Sequence, residues 1–325
     1  MQFRTEIKFD SPSFVINHHD KILSIGSCFA ENIGRKLDEY KFNILSNPFG
    51  VLYNPASISN SIELAIQNKE LSNDDFVFNQ SEWHSFLHHS DFSSEDKNKL
   101  ITETNSSFRK CHDFLLNVDI VIVTFGTANV YRYKKSGRVV SNCHKIPQSE
   151  FIQNLLTIDD VANYCNSIIE NIISVQPQTK FIFSVSPVRH VKDGFIKNSR
   201  SKATLILGID KAINNSPNCF YFPSFEIFID DLRDYRFYKE DLVHPNDFAI
   251  EYVWNIFKEK MLSQKCKVIL DEINPVVQAA KHRIRNPKSL ESQKFIKQML
   301  NKIQSLKNKF PYINFEREEK TFIEF

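Results

Sequence analysis

Short apolar runs alternate with longer amphipathic ones through the first two-thirds of this chain. The apolar runs fall at residues 22–25, 43–45, 119–125, 180–185 and 219–222. The third, Asp-Ile-Val-Ile-Val-Thr-Phe, is continuous and β-branched, as in a strand buried on both faces. Helical patterns lie between and around them at 29–40, 55–68, 96–116, 149–174 and 198–214. Strands alternating with helices predict an α/β protein, a three-layer α/β/α sandwich around a parallel sheet. Residues 71–95 read as an insertion, and 128–141 as a hairpin turning at Gly137. After residue 263 the pattern changes. Residues 266–310 read as two helices rich in Lys, Gln and Asn, separated at Arg283-Ile284-Arg285-Asn286-Pro287, because proline disfavours helix at the residue before it. The chain thus divides into an α/β domain, 1–263, and a helical extension, 264–325. Lys281, Arg283, Arg285 and Lys288 read as a solvated face.

Composition narrows the possibilities. At 325 residues and 42% hydrophobic, the chain can bury a sizeable core. A net charge of +2 gives no strong pull on nucleic acid or on a membrane surface. No apolar run approaches the roughly 18 residues of a membrane span. The start, Met1-Gln2-Phe3-Arg4-Thr5-Glu6, lacks the apolar core of a signal peptide. Six scattered cysteines show no paired spacing, so no disulfide framework or zinc site is expected. The paired histidines His18-His19 and His88-His89 lack the i, i+4 spacing of a helical zinc site, so no metal is expected. These features together predict a soluble, cytoplasmic protein with reduced thiols, no cofactor, and neither a nucleic-acid partner nor a membrane span.

Seven glycines are few for this length, against an average near 7%. Three of them, Gly26, Gly50 and Gly126, follow apolar stretches. In open α/β sheets ligands bind beyond the carboxyl ends of the strands, so these positions point to a site. Gly26-Ser27-Cys28 places small reactive side chains where a strand turns into a helix. Cys28 at a helix N-terminus would gain thiolate character, with Ser27 as the alternative nucleophile. Asp241-Leu242-Val243-His244-Pro245 supplies a base, His244, and a carboxylate, Asp241, to orient it, with Asp247 as a competitor. The N–H groups of Cys28 and Gly50 are candidate oxyanion donors, and Asn54 or Asn47 could add a side-chain amide. Arg189 and His190 follow the fourth strand. Arg189 could hold a carboxylate or phosphate, or form a structural ion pair. Cys143 and His144 are adjacent in an extended segment and should point to opposite faces. The aromatic stretch Trp83-His84-Ser85-Phe86-Leu87-His88-His89 could wall a sugar ring or acyl chain.

Several blocks carry a family resemblance. They are Gly26-Ser27-Cys28-Phe29-Ala30, Asn47-Pro48-Phe49-Gly50, Thr124-Phe125-Gly126-Thr127-Ala128, Asn142-Cys143-His144-Lys145, Ser186-Pro187-Val188-Arg189-His190 and Asp241 to Pro245. Over about residues 1–260 the chain resembles the GSCFA family, a branch of the SGNH (GDSL-like) hydrolase superfamily. The resemblance implies a flavodoxin-like sandwich and acyl-transfer chemistry. Aligned with that superfamily's Gly-Asp-Ser, Cys28 stands at the nucleophile. Its Gly-x-Asn-Asp block reads Gly126-Thr127-Ala128-Asn129 here, with Ala128 where an oxyanion-binding Asn is expected and Asn129 one place off. The implied function is an O-acyl esterase acting on a sugar or small-metabolite ester. The alternatives are an acyltransferase, a ligand-binding module that keeps the fold without turnover, and an assembly component acting through its C-terminal helices. Those helices are also candidates for homo-oligomer contacts.

Overall fold

The computed structural model describes residues 5–214, 216–282 and 285–324. In chain order the first half comprises β1 (Lys21–Gly26), α1 (Cys28–Glu39), β2 (Asn43–Ser46), α2 (Pro55–Ile66), β3 (Phe76–Asn79), β4 (Glu82–Ser85), β5 (Ser93–Ser94) and α3 (Lys97–Leu115). Then come β6 (Ile120–Phe125), β7 (Asn129–Tyr133), β8 (Val139–Val140), β9 (Phe151–Leu155), α4 (Ile158–Val175), β10 (Lys180–Val185), α5 (Phe195–Ile213), β11 (Cys219–Phe222) and the single turn α6 (Ser224–Glu226). Four longer helices follow: α7 (Asp247–Met261), α8 (Gln264–Lys281), α9 (Leu290–Lys309) and α10 (Glu316–Ile323). The five apolar runs are the five strands of one parallel sheet, ordered β11-β10-β6-β1-β2. Strand order reverses between β1 and β6, which opens a crevice at their carboxyl ends.

Alternation along the strands sorts the core into two layers. Leu23, Ile25, Val121, Val123, Phe181 and Phe183 face α2, α3, α4 and α5, against residues such as Ile62, Phe108, Ile168 and Leu205. Ile22, Ile120, Ile122 and Ile182 face the other way, onto Phe29, Ile33 and Leu37 of α1 and Trp254 and Phe257 of α7. Helices therefore cover both faces of the sheet, making the expected three layers. Helix α8 gives Cys266 and Leu270 to the second layer. From Ile273 onward it builds a separate cluster with Met299 and Ile303 of α9 and Phe322 of α10. Polar contacts tie this unit to the end of α1: Tyr40 Oη donates to Asn274 Oδ1 (2.9 Å), Lys281 pairs with Glu39 (2.7 Å), and Lys41 pairs with Glu318 (2.5 Å).

Some elements differ from the sequence expectation. The helix expected over 149–174 begins at Ile158, because Thr157 and Asp160 form a reciprocal capping box. Before it, β9 pairs antiparallel with β7, and β8 joins the other edge of β7. Gly137 makes the expected turn with φ +67. The insertion 71–95 holds a three-stranded antiparallel sheet, β3-β4-β5. Helix α7 was not among the expected helices. The expected break in the extension lies between Lys281 and Leu290, with Arg283 and Ile284 outside the described residues. Lys281 is not simply solvated, given its Glu39 partner. Among the described residues no helix is long and apolar enough to cross a membrane.

Candidate active site

The site forms where β1, β6 and β10 end. Gly26 adopts φ +138, and a Cβ there would lie 2.1 Å from the Thr124 carbonyl oxygen, so no other residue fits. Its N–H donates to Asn47 Oδ1 (2.9 Å) and its carbonyl accepts from Leu52 N–H (3.1 Å), which straps the 47–52 loop over the strand end. Ser27 N–H continues the ladder to Thr124 O (3.0 Å), and Cys28 is the first residue of α1. Ser27 is 1% exposed, and its Oγ has no hydrogen-bond partner among the described residues. Cys28 is half-buried and lines an open cleft of about 550 Å³.

His244 lines the same cleft from a loop between β11 and α7. Its ring Nδ1 lies 2.6 Å from Asp241 Oδ2. Oδ1 of Asp241 accepts the N–H groups of Val243 and His244, each at 2.9 Å. The backbone bond from His244, then that from Val243, then the ring contact hold the Asp241 carboxyl well below the usual carboxylate range. A carboxylate can only accept, so Nδ1 is the donor, and a neutral ring keeps its lone pair on Nε2. Cys28 and His244 share the cleft with no hydrogen bond joining them among the described residues.

Arg189 fastens this loop to the end of β10. Its Nη2 donates to the Leu242 carbonyl (2.5 Å), and Leu242 holds a left-handed φ of 57. The guanidinium lies 5.3 Å from the Phe195 ring centroid and 5.1 Å from that of Tyr238. It thus braces the histidine loop through a backbone carbonyl rather than through the expected carboxylate ion pair, while still lining the cleft. His190 turns toward Gly126 instead: its N–H donates to Asn198 Oδ1 (3.0 Å) and its ring meets Tyr53 edge-on at 5.5 Å.

The expected oxyanion donors need correcting. Gly50 N–H is spent on Asn47 O (2.9 Å), its α-carbon abuts His89, and it does not line the cleft. Asn47 accepts the Gly26 N–H at Oδ1 and is not among the residues lining the cleft. Along the 126–129 block, the N–H groups of Gly126 and Thr127 go to Tyr53 O (2.7 and 3.0 Å). Those of Ala128 and Asn129 go to the hydroxyls of Ser201 and Thr127 (2.7 and 3.0 Å). Asn129 lines the cleft, and its Nδ2 also reaches Thr127 Oγ1 (3.3 Å). Asn54 caps α2 by accepting Ser57 N–H at Oδ1 (2.8 Å), which leaves its Nδ2 as a donor at the cleft wall. Cys28 N–H, at the open start of α1, takes part in no backbone hydrogen bond among the described residues.

Thiol electrostatics also depart from expectation. Burial pushes the Cys28 thiol up, and Glu31 in the first turn of α1 adds to the shift. These outweigh the backbone N–H and the neighbouring lysines, so a standing thiolate is not favoured. Cys143 lines the cleft, with its thiol raised to about 11 by burial, whereas His144 is buried away from it. Trp83 packs at a tilt against Phe78 (5.2 Å) under Lys97 and is not part of the cleft, whose aromatic walls are Tyr53 and Tyr131.

One functional candidate escaped the sequence reading. Lys202 of α5 is 1% exposed and lies beneath the site, its Nζ donating to the carbonyls of Gly126 and Ser186, each at 2.6 Å. Burial pushes its ammonium down to about 7, opposed by the charge of Cys28. A signal was present: Lys202 shares the helical face of Leu205 and Ile209, both fully buried.

Fold and site together define a doubly wound α/β protein with a cysteine at the first strand–helix turn and an Asp–His pair across the crevice. Residues 21–257 match the GSCFA family, and residues 273–324 match the C-terminal domain of GSCFA domain proteins. The chain belongs to the GSCFA family. No curated protein matches the sequence.

Proposed function

We propose that this protein is an acyl hydrolase of the SGNH type, using Cys28 as nucleophile, His244 as base and Asp241 as the carboxylate that orients the base. One observation carries the reading: His244, whose ring is held by Asp241, lines the same cleft as Cys28. Cys28 is preferred to Ser27 because only Cys28 lines that cleft, whereas Ser27 is buried. A raised thiol pKa makes the base necessary. His244 Nε2 takes the thiol proton as Sγ bonds to the ester carbonyl carbon. The carbonyl oxygen gains negative charge, stabilised by Cys28 N–H and the Asn54 amide, with Lys202 as a buried cation below. Collapse breaks the carbon–oxygen bond, and the alcohol leaves with the proton from His244. Water, deprotonated by the same ring, then hydrolyses the thioester and restores the thiol.

The test is turnover of an activated aryl acetate, followed by acetylated sugars. His244→Ala should lower kcat by about 10²–10⁴, the usual worth of a positioned general base. Cys28→Ala should abolish burst acylation, and mass spectrometry of stalled enzyme should find the acyl group on Cys28. Wild-type rates no faster than those of His244→Ala on every ester would leave a binding module as the reading.

A further inference from the structure

The cleft carries charge that acyl transfer to water does not require. The chain as a whole is nearly balanced, with 41 Lys and Arg against 39 Asp and Glu. The described residues lining the cleft include Lys145, Arg189 and Lys192 and no Asp or Glu. Arg189 is committed to the Leu242 carbonyl. Lys145 and Lys192 have no ion-pair or hydrogen-bond partner among the described residues, and Lys192 is close enough to act on the Cys143 thiol. Lys145 is held in a left-handed conformation (φ 57) next to His144 (φ 46), in a turn anchored where His144 Nε2 meets Ser85 O at 2.7 Å. Its stem is therefore set by a buried neighbour rather than by a loose loop. The rest of this wall is rich in neutral hydrogen-bonding groups, among them Asn142, Gln148 and Tyr131.

We infer that the ligand of this cleft is a hydroxyl-rich anion, an acidic sugar being its simplest form. Its acid group pairs with Lys145 and Lys192, and amide and phenol groups read its hydroxyls. The proposed function enters only in directing the acyl group of such a ligand to Cys28. Two cations without a partner among the described residues, in a lining whose described residues include no carboxylate, attract an anion from solution, and they reject a neutral analogue by remaining unpaired when it binds.

Binding to the full-length protein decides the matter without reference to turnover. The probes are glucuronate, glucose 6-phosphate and glucose, titrated by calorimetry at low salt and again near physiological salt. The acids should bind at least about tenfold more tightly than glucose, a difference of ~1.4 kcal/mol. Their binding should weaken with salt, and the double variant K145Q/K192Q should lose most of the preference. The carboxylate and phosphate arms then show which acid fits. Glucose binding as tightly as both acids, indifference to K145Q/K192Q, or no binding of any probe would overturn the inference. Acid binding with no ester turnover would uphold it while removing the hydrolase reading.

Discussion

In the proposed reaction Cys28 and Lys202 carry the chemistry at the scale of single residues. A thiol raised by burial and by Glu31 should react with iodoacetamide along a pH curve whose midpoint lies above the ordinary thiol value of about 8.5. Lys202→Met should leave that midpoint nearly unchanged, because an ammonium pushed down to about 7 has lost most of its charge where the thiol titrates. The same change leaves the Gly126 and Ser186 carbonyls without their donor, a loss of about 1–3 kcal/mol for a buried unsatisfied group. Site-resolved labelling by mass spectrometry gives the first number and urea unfolding the second. A Cys28 midpoint below about 8 would contradict this account, since an ordinary thiol already lies higher. Cys28, Asp241 and His244 were legible in the sequence because each belongs to a local spacing. The role of Lys202 was not, because its two acceptors lie 76 and 16 residues away and only the fold brings them together.

At the scale of elements, the histidine loop and the inserted sheet behave as separate devices. Arg189→Ala removes the bond to Leu242 and lets the Asp241–His244 turn drift from Cys28. It should lower kcat by about tenfold or more, since small misplacements of catalytic groups are costly, while KM and thermal stability change little. Equal losses in kcat and in stability would point to a merely structural role. Burial lowers His88 of the insertion to about 3 and His144, in the turn between β8 and β9, to about 4. Both rings are neutral in the fold, whereas the unfolded chain protonates them near 6.5. Unfolding therefore takes up protons as pH falls from about 6.5 toward 4, and stability drops through that window. Thermal melts across it should show the decline, and His88→Gln with His144→Gln should flatten it. The inner strands β1, β6 and β10 were readable because burial on both faces favours nearly unbroken apolar runs. β9 was not, since four of its five residues are exposed and their pattern also suits a helix. Helix α7 was masked by its nearly continuous apolar stretch, although Asn246 supplies an N-cap.

Across the whole molecule, α1 links the cleft to the C-terminal helices. Cys28 opens it, and the Lys41–Glu318, Lys281–Glu39 and Tyr40–Asn274 contacts cluster around its far end. Lys41 and Glu318 are nearly buried, so Glu318→Ala should cost up to about 3–5 kcal/mol by stranding the lysine. Because the helices beyond Ile273 have their own apolar cluster, that variant should unfold in two steps. Loss of helical circular dichroism should come first, followed by the fluorescence change of Trp254 in the sheet-facing layer. Coincident transitions would mean the extension is inseparable from the sheet. The strand order carries one more consequence, for biosynthesis. The sheet's first strand in chain order, β1, is not an edge of the finished sheet but an inner one, flanked by β2 and β6. β2 can cover one side soon after emergence, whereas the other side stays open until the whole insertion and α3 have been translated. During that interval the growing chain presents an unpaired apolar edge, the kind of template that invites misassociation, so the nascent protein is most vulnerable between the synthesis of β1 and that of β6.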